Sequence, residues 1–406
     1  MEHELIAELR MLFIEPSIQN WRKIIQIFSE VDGRDEHVQM ALDYARVHLE
    51  PWPKRLRGIE DTASPQNREG WYPAVKFTKP NEYLFELAKS LIIRREISEK
   101  SAKKIQKMQV LEQIQYLELS AIISQKGLQN LLQTPLMQDL HALKFVGTLQ
   151  YQIVQELLQA ETLSSLFELD LSEATLDSES CFHIAEHLHF PRLTSVLLCS
   201  KQLSHEHIET FVQNPSIATL TELALHGTKP YMEWYEWDDE EYPQMPEDWF
   251  LPVESIQELA KCPHLQGLKS LDLSGCAMGC EGIYALRNSP FITKLEELVI
   301  AHEQLNNGAL NLLTRNPKLF YLKRLKLQDC KLDDNSYQLL TKSPYLSALE
   351  ELHIEGNLLS TQGIQALADS PNLPNLHSLV ITEEMSPPKQ WLAHTKLPFD
   401  IVVWES

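Results

Sequence analysis

Leucines at a fixed spacing run through the second half of this chain and restrict it to a stacked architecture. Leu166, Leu193 and Leu220 are 27 residues apart, and so are Leu268, Leu295, Leu322, Leu349 and Leu376. The step from Leu220 to Leu268 is 48, one repeat plus 21 inserted residues. Upstream, Leu140 and Ile114 continue the series at spacing 26, which makes ten units. A unit this short cannot bury a core alone, whereas a stack of them can.

Each full unit has the same interior. In Leu268-Lys-Ser-Leu271-Asp-Leu273 and Leu322-Lys-Arg-Leu325-Lys-Leu327, apolar residues hold the first, fourth and sixth places, and the period-2 ending predicts a short strand with one face buried. Another apolar residue holds the eleventh place, as in Leu176, Met278, Leu305 and Leu332. The period then becomes helical, with inward residues at the sixteenth and nineteenth places, such as Ile208 and Phe211, Ile283 and Leu286, Tyr337 and Leu340. Prolines at 215, 263, 290, 317, 344 and 371 end each helix at a constant place, because proline lacks the N–H and disfavours helix for its predecessor.

These residues resemble the leucine-rich-repeat family of the ribonuclease-inhibitor type. Tails such as Ala366-Leu367-Ala368-Asp369-Ser370-Pro371 are most similar to bacterial leucine-rich-repeat proteins of unknown function. The resemblance implies an α/β horseshoe solenoid over residues 111–406, with a parallel concave sheet and outer helices. It implies a fold and not an activity. One departure is at the ninth place, where the family's Asn or Cys occurs only as Cys276, Cys330 and Asn357; Ala174, Lys201, Thr228, Glu303 and Glu384 predict less regular turns.

Residues 1–110 read as a helical capping domain. Leu5, Ile6, Leu9, Leu12 and Phe13 form one helical stripe, Trp21, Ile24, Ile25 and Phe28 a second, and Val38, Ala41, Leu42, Ala45 and Leu49 a third. Residues 51–80 hold five prolines and read as irregular, and residues 81–108 as a further helical segment, broken near Ser98 and basic over 89–107. The charge changes at the same boundary: residues 1–110 are nearly balanced, while residues 111–406 carry 18 basic against 40 acidic side chains. A net charge of −21 argues against nucleic acid as a partner, since phosphate contacts need a basic surface. Six scattered cysteines predict free thiols in a reducing compartment, and neither a signal peptide nor a membrane-spanning apolar run is visible. The expected location is the cytoplasm.

In the family, the third, fifth and seventh residues of each unit point into the concavity, across a face about 43 Å long for ten strands. In the middle units this face includes Leu197, Glu222, His226, Asp272, Glu297 and Val299. The insertion, residues 228–252, holds Trp234, Tyr235 and Trp237 and carries eight acidic residues against one basic. As a strand-to-helix loop it either overhangs the middle units and offers aromatic hot spots in an acidic field to a basic protein, or packs its aromatics down on the solenoid with its acids solvated. His183, Glu186 and His187 fit the H-x-x-E-H pattern of zinc proteases, but the repeat alignment accounts for them as one unit's helix. The expectation is therefore a non-enzymatic protein-binding scaffold with no cofactor. Its alternative is an enzyme active in residues 1–110, with the repeats choosing the substrate.

Overall fold

A computed structural model describes residues 2–61, 79–120, 122–199, 203–226, 251–276, 278–303, 305–388, 390–391 and 395–404. The chain divides into two compact units, Met1–Thr175 with Phe190–Leu193, and Leu176–His189 with Thr194–Ser406.

The first unit opens with three helices, α1 (Glu2–Leu12), α2 (Ile18–Ser29) and α3 (Glu36–Leu49). Ser17 and Asp35 cap α2 and α3 by accepting from the Asn20 and His37 amides. The stripe Trp21, Ile24, Ile25 and Phe28 is buried, and the Trp21 indole N–H donates to the Gly58 carbonyl at 2.7 Å. Among the described residues five parallel strands follow: β1 (Gly58–Asp61), β2 (Ser90–Ile93), β3 (Tyr116–Ser120), β4 (Ala142–Thr148) and β5 (Glu168–Thr175). Each pairs with the next in sequence order, with one register shift between Lys144 and Val146. Helices α4 (Glu99–Ile105), α5 (Gln125–Leu132) and α6 (Tyr151–Leu158) alternate with them and pack on one another in turn.

Two findings differ from the sequence expectation. Strands β1 and β2 lie upstream of residue 111, so the repeat sheet starts inside the segment expected to be a helical cap. The helical segment expected over 81–108, with a break near Ser98, is instead a 3-10 turn and strand β2 before the break and the short α4 after it, capped by Ser98. Ser90-Leu91-Ile92-Ile93 is buried at all four positions, and an apolar run buried on both faces carries no period to mark it as a strand.

Among the described residues the second unit carries eight parallel strands: β6 (Ser195–Cys199), β7 (Glu222–His226), β8 (Ser270–Asp272), β9 (Glu297–Val299), β10 (Arg324–Lys326), β11 (Glu351–His353), β12 (Ser378–Thr382) and β13 (Asp400–Trp404). Its helices are α7 (Ser178–His187), α8 (His205–Gln213), α9 (Val253–Lys261), α10 (Gly279–Asn288), α11 (Asn307–Thr314), α12 (Asp334–Thr341) and α13 (Thr361–Ala368). Each unit of the chain is thus an α/β solenoid of the leucine-rich-repeat kind. The first-, fourth- and sixth-place residues meet the sixteenth- and nineteenth-place residues in one core; Leu322, Leu325, Leu327, Tyr337 and Leu340 are all fully buried.

Polar ladders stitch the turns together. The Asn357 carboxamide accepts from the Cys330 and Leu332 amides at 2.9 Å and donates to the Leu327 and Ile354 carbonyls at 2.7 and 2.9 Å. The Cys330 and Cys276 thiols donate to the Ile300 and Leu225 carbonyls at 2.9 and 3.1 Å. Burial pushes the Cys330 thiol up to about 12. Glu303, in the same place, accepts from the Met278 amide at 3.0 Å while buried, so a carboxylate stands in for the amide there. At the helix ends, the Asn214 side chain reaches the Ala185 carbonyl at 3.1 Å and the Ser370 hydroxyl reaches the Thr341 carbonyl at 2.8 Å, each 29 residues back. The eighth place is left-handed in four successive repeats, at Gly275, His302, Asp329 and Gly356. Glycine adopts this conformation freely, whereas His302 and Asp329 do so at a cost of about 1 kcal/mol each.

Candidate functional site

Parallel pairing puts residues one repeat apart side by side, so the outward side chains of the strands form rows. In the second unit, register aligns Leu197, Ala224, Asp272, Val299, Lys326, His353 and Val380 in one row. Ser195, Glu222, Ser270, Glu297, Arg324 and Glu351 form the next. Of the residues expected to bind a partner, Leu197, Asp272 and Val299 therefore share one row, and Glu222 and Glu297 share its neighbour. His226 lies two places beyond Ala224 on β7, opposite Cys199. Trp234, Tyr235 and Trp237 lie outside the described residues.

The acids on this face differ in their partners. Glu222 is exposed and Leu197 half-buried, while Val299 is nearly covered. Asp272 accepts from the Ser274 amide at 2.9 Å and from its hydroxyl at 2.5 Å. Glu297 is held by Arg324 at 3.1 Å and Lys326 at 2.7 Å. Burial pushes the Glu297 carboxyl up, but Lys326 and Arg324 more than offset this and hold it below the usual range. His353 sits between Glu351 and Glu355 at 3.6 and 3.4 Å, and His302 faces Asp329 at 3.3 Å. Behind the strands, an open apolar groove of about 650 Å³ runs between α9 and α10, lined by Ala260, Tyr284, Ala285, Pro290 and Leu312.

The strand face of the first unit is a second charged surface, and sequence reading missed most of it. Arg94 bridges Glu60 at 3.1 Å and Glu118 at 3.4 Å; Lys144 bridges Asp170 at 3.9 Å and Glu173 at 2.5 Å. Arg55 pairs with Glu168 and stacks over the Tyr116 ring at 5.4 Å. Of these, Arg55, Tyr116, Glu118, Lys144, Glu168 and Asp170 line a shallow pocket of about 170 Å³. Burial raises the Glu118 carboxyl, against the opposing pull of Lys144 and Arg94. A signal for this surface exists in the sequence. Ala88 precedes Ile114 by 26 residues, the same step as from Ile114 to Leu140, but the first place holds alanine instead of leucine.

The histidine pair on α7 has its rings 4.5 Å apart, edge to face, with Glu186 3.5 Å from His187. Among the described residues, no group of three His, Cys, Asp or Glu side chains is arranged to hold a metal ion. Cys181, Cys262, Cys276 and Cys330 are buried. No helix among the described residues is long and apolar enough to cross a membrane.

No protein-family model matches the sequence, and no curated protein matches it significantly. Among solved structures, a chain of the yeast Rad7–Elc1 complex is similar over 98% of this chain and 95% of its own, with 14% identity and a TM-score of 0.51. An internalin (InlF) from Listeria monocytogenes covers 96% of this chain and 94% of its own at 13% identity, with a TM-score of 0.36. The TLR13–ssRNA13 complex covers 80% and 51% at 17% identity, with a TM-score of 0.30. The first match speaks to the fold; the other two, at those scores, support nothing further.

Proposed function

We propose that this protein is a non-enzymatic interaction module that binds a protein partner on the strand face of its second unit. The observation that carries this reading is the pair of rows through Leu197, Asp272 and Val299 and through Glu222 and Glu297. Side chains distant in sequence are there set side by side on a rigid sheet, and cross-strand ion pairs hold some of them in one geometry. A partner docking on such a preorganised platform loses little further side-chain entropy. A broad, shallow surface of this kind suits a protein better than a small metabolite. Glu222, Asp272 and His226, with Trp234, Tyr235 and Trp237 from the acidic insertion, would supply contacts to a basic partner and steer its approach. The similar yeast chain belongs to a two-protein complex, which accords with this reading. The setting we favour is the cytoplasm, with no cofactor.

Affinity capture from native lysate tests it, using the wild type, Leu197→Lys with Glu222→Lys, Trp234→Ala with Trp237→Ala, and Gln257→Lys on α9 as a control. Retention of a specific partner should fall about tenfold, the equivalent of ~1.4 kcal/mol, in the first two variants and not in the control. If both variants keep every partner that the wild type binds, the strand face is not the binding surface.

A further inference from the structure

Strand β13 ends the sheet, and among the described residues no strand pairs with its outer edge. The other end of the strand series differs: at β1 the Gly58 carbonyl is covered by the Trp21 indole. Unpaired edges are usually protected by lysine, proline, a bulge or brevity. Strand β13 has none of these; it reads Asp400-Ile401-Val402-Val403-Trp404 and pairs with β12 over five unbroken positions.

Hydrogen-bond parity says what the edge can accept. The Asp400 amide donates inward to the His377 carbonyl, and alternate residues of a parallel strand point their N–H and C=O groups the same way. Asp400, Val402 and Trp404 therefore bond to β12, while Ile401 and Val403 present their N–H and C=O groups outward. A second β13 laid antiparallel, with a two-fold axis at Val402, would match Ile401 with Val403 of the other copy twice and close four main-chain hydrogen bonds. The same register sets Asp400 against Trp404, whereas a parallel one would set Asp400 beside Asp400. It also joins the open ends of two cores. Ile401 and Val403 pair with the fully buried Leu379 and Ile381, yet Val403 is 40% exposed. Charge permits the approach. The chain carries −21, but residues 386–406 are balanced, with two lysines against Asp400 and Glu405.

We infer that β13 is a homodimerisation edge, joining two copies of this chain by antiparallel strand pairing about Val402.

Light scattering of the full chain from about 1 to 100 µM should show a mass rising from 46.8 kDa towards twice that value. Val403→Pro removes an N–H that points away from β12 and should leave a folded monomer, with circular dichroism unchanged. Val402→Cys should cross-link spontaneously to its own copy under mild oxidation, while the wild type, whose Cys280 is partly exposed, does not. Directly opposed residues at a non-hydrogen-bonded position have Cα atoms about 4.5 Å apart, within disulfide reach. A wild type monomeric throughout this range overturns the inference. So does a dimer that persists in Val403→Pro without cross-linking in Val402→Cys. Should Val403→Pro fail to fold, absence of the Val402→Cys cross-link is sufficient to overturn it.

Discussion

Replacing Asn357 by alanine probes the ladder that keeps successive turns in register. The side chain is 7% exposed and bonds five main-chain groups: the Cys330 and Leu332 amides, and the Leu327, Ile354 and Glu355 carbonyls. Three of these groups belong to the preceding repeat, so Asn357 acts as a clamp between two turns. Each intact bond contributes about 1 kcal/mol net, and each buried group left without a partner costs about 1–3 kcal/mol. The small cavity admits some relaxation or a water, so the expected loss is about 3–5 kcal/mol and not the full sum. Stability in a solenoid is distributed over neighbouring repeats, so the damage should centre on the repeats bearing β10 and β11. Hydrogen exchange is therefore the sharper assay, with urea unfolding beside it. The Cys330 and Leu332 amides should lose protection far more than those of α8, and Asn335→Ala, at an exposed position, should stay within about 0.5 kcal/mol of wild type. A loss below ~1 kcal/mol, with both amides still protected, would refute the clamp.

Gly356→Ala should destabilise by about 1–2 kcal/mol, from its φ of +68° and a Cβ that would meet the Asp329 carboxylate. Urea unfolding in an Asp329→Ala background should recover the steric part and leave the conformational part. Glu297→Gln tests the cross-strand pairs. Because the Glu297 carboxyl is depressed in the folded state, its contribution is present above the unfolded carboxylate value near 4.3 and is lost as pH falls through the lower folded value. Thermal melts should show the variant weakened at pH 7 and level with wild type in strong acid; an equal deficit at both pH values would show that the pairs are not responsible. Trp21→Phe removes the indole bond to the Gly58 carbonyl and should cost about 1–2 kcal/mol in chemical denaturation, the loss being confined to the first unit. Unchanged stability would mean that water takes the place of the indole.

The repeat frame was legible because each buried place recurs at fixed spacing, and burial at those places is local physics. Leu268 to Leu273 alternates, Ile283 and Leu286 follow helical spacing, and proline stops the helix. Nothing beyond one unit is needed to read them. Two upstream strands escaped the same reading. Ala88 fills the place where leucine marks a unit, and Leu91-Ile92-Ile93 has no polar alternation to show its type.

What the sequence determined by itself is the α/β class, the repeat length and which residues face the core. The fate of its charges was decided only by tertiary structure. Glu297 reads as one more acid on an acidic face until β10 places Arg324 and Lys326 against it; Glu303 reads as a lapse in the Asn/Cys ladder until its carboxylate meets the Met278 amide. His302 and Asp329 give no local sign that they adopt a left-handed turn shaped by Gly275 and Gly356 on either side. The physical reason is one of range. Hydrophobic burial is set by the period within a repeat, whereas the partner of a charge or a hydrogen-bonding group lies a whole turn away and exists only once the turns are stacked.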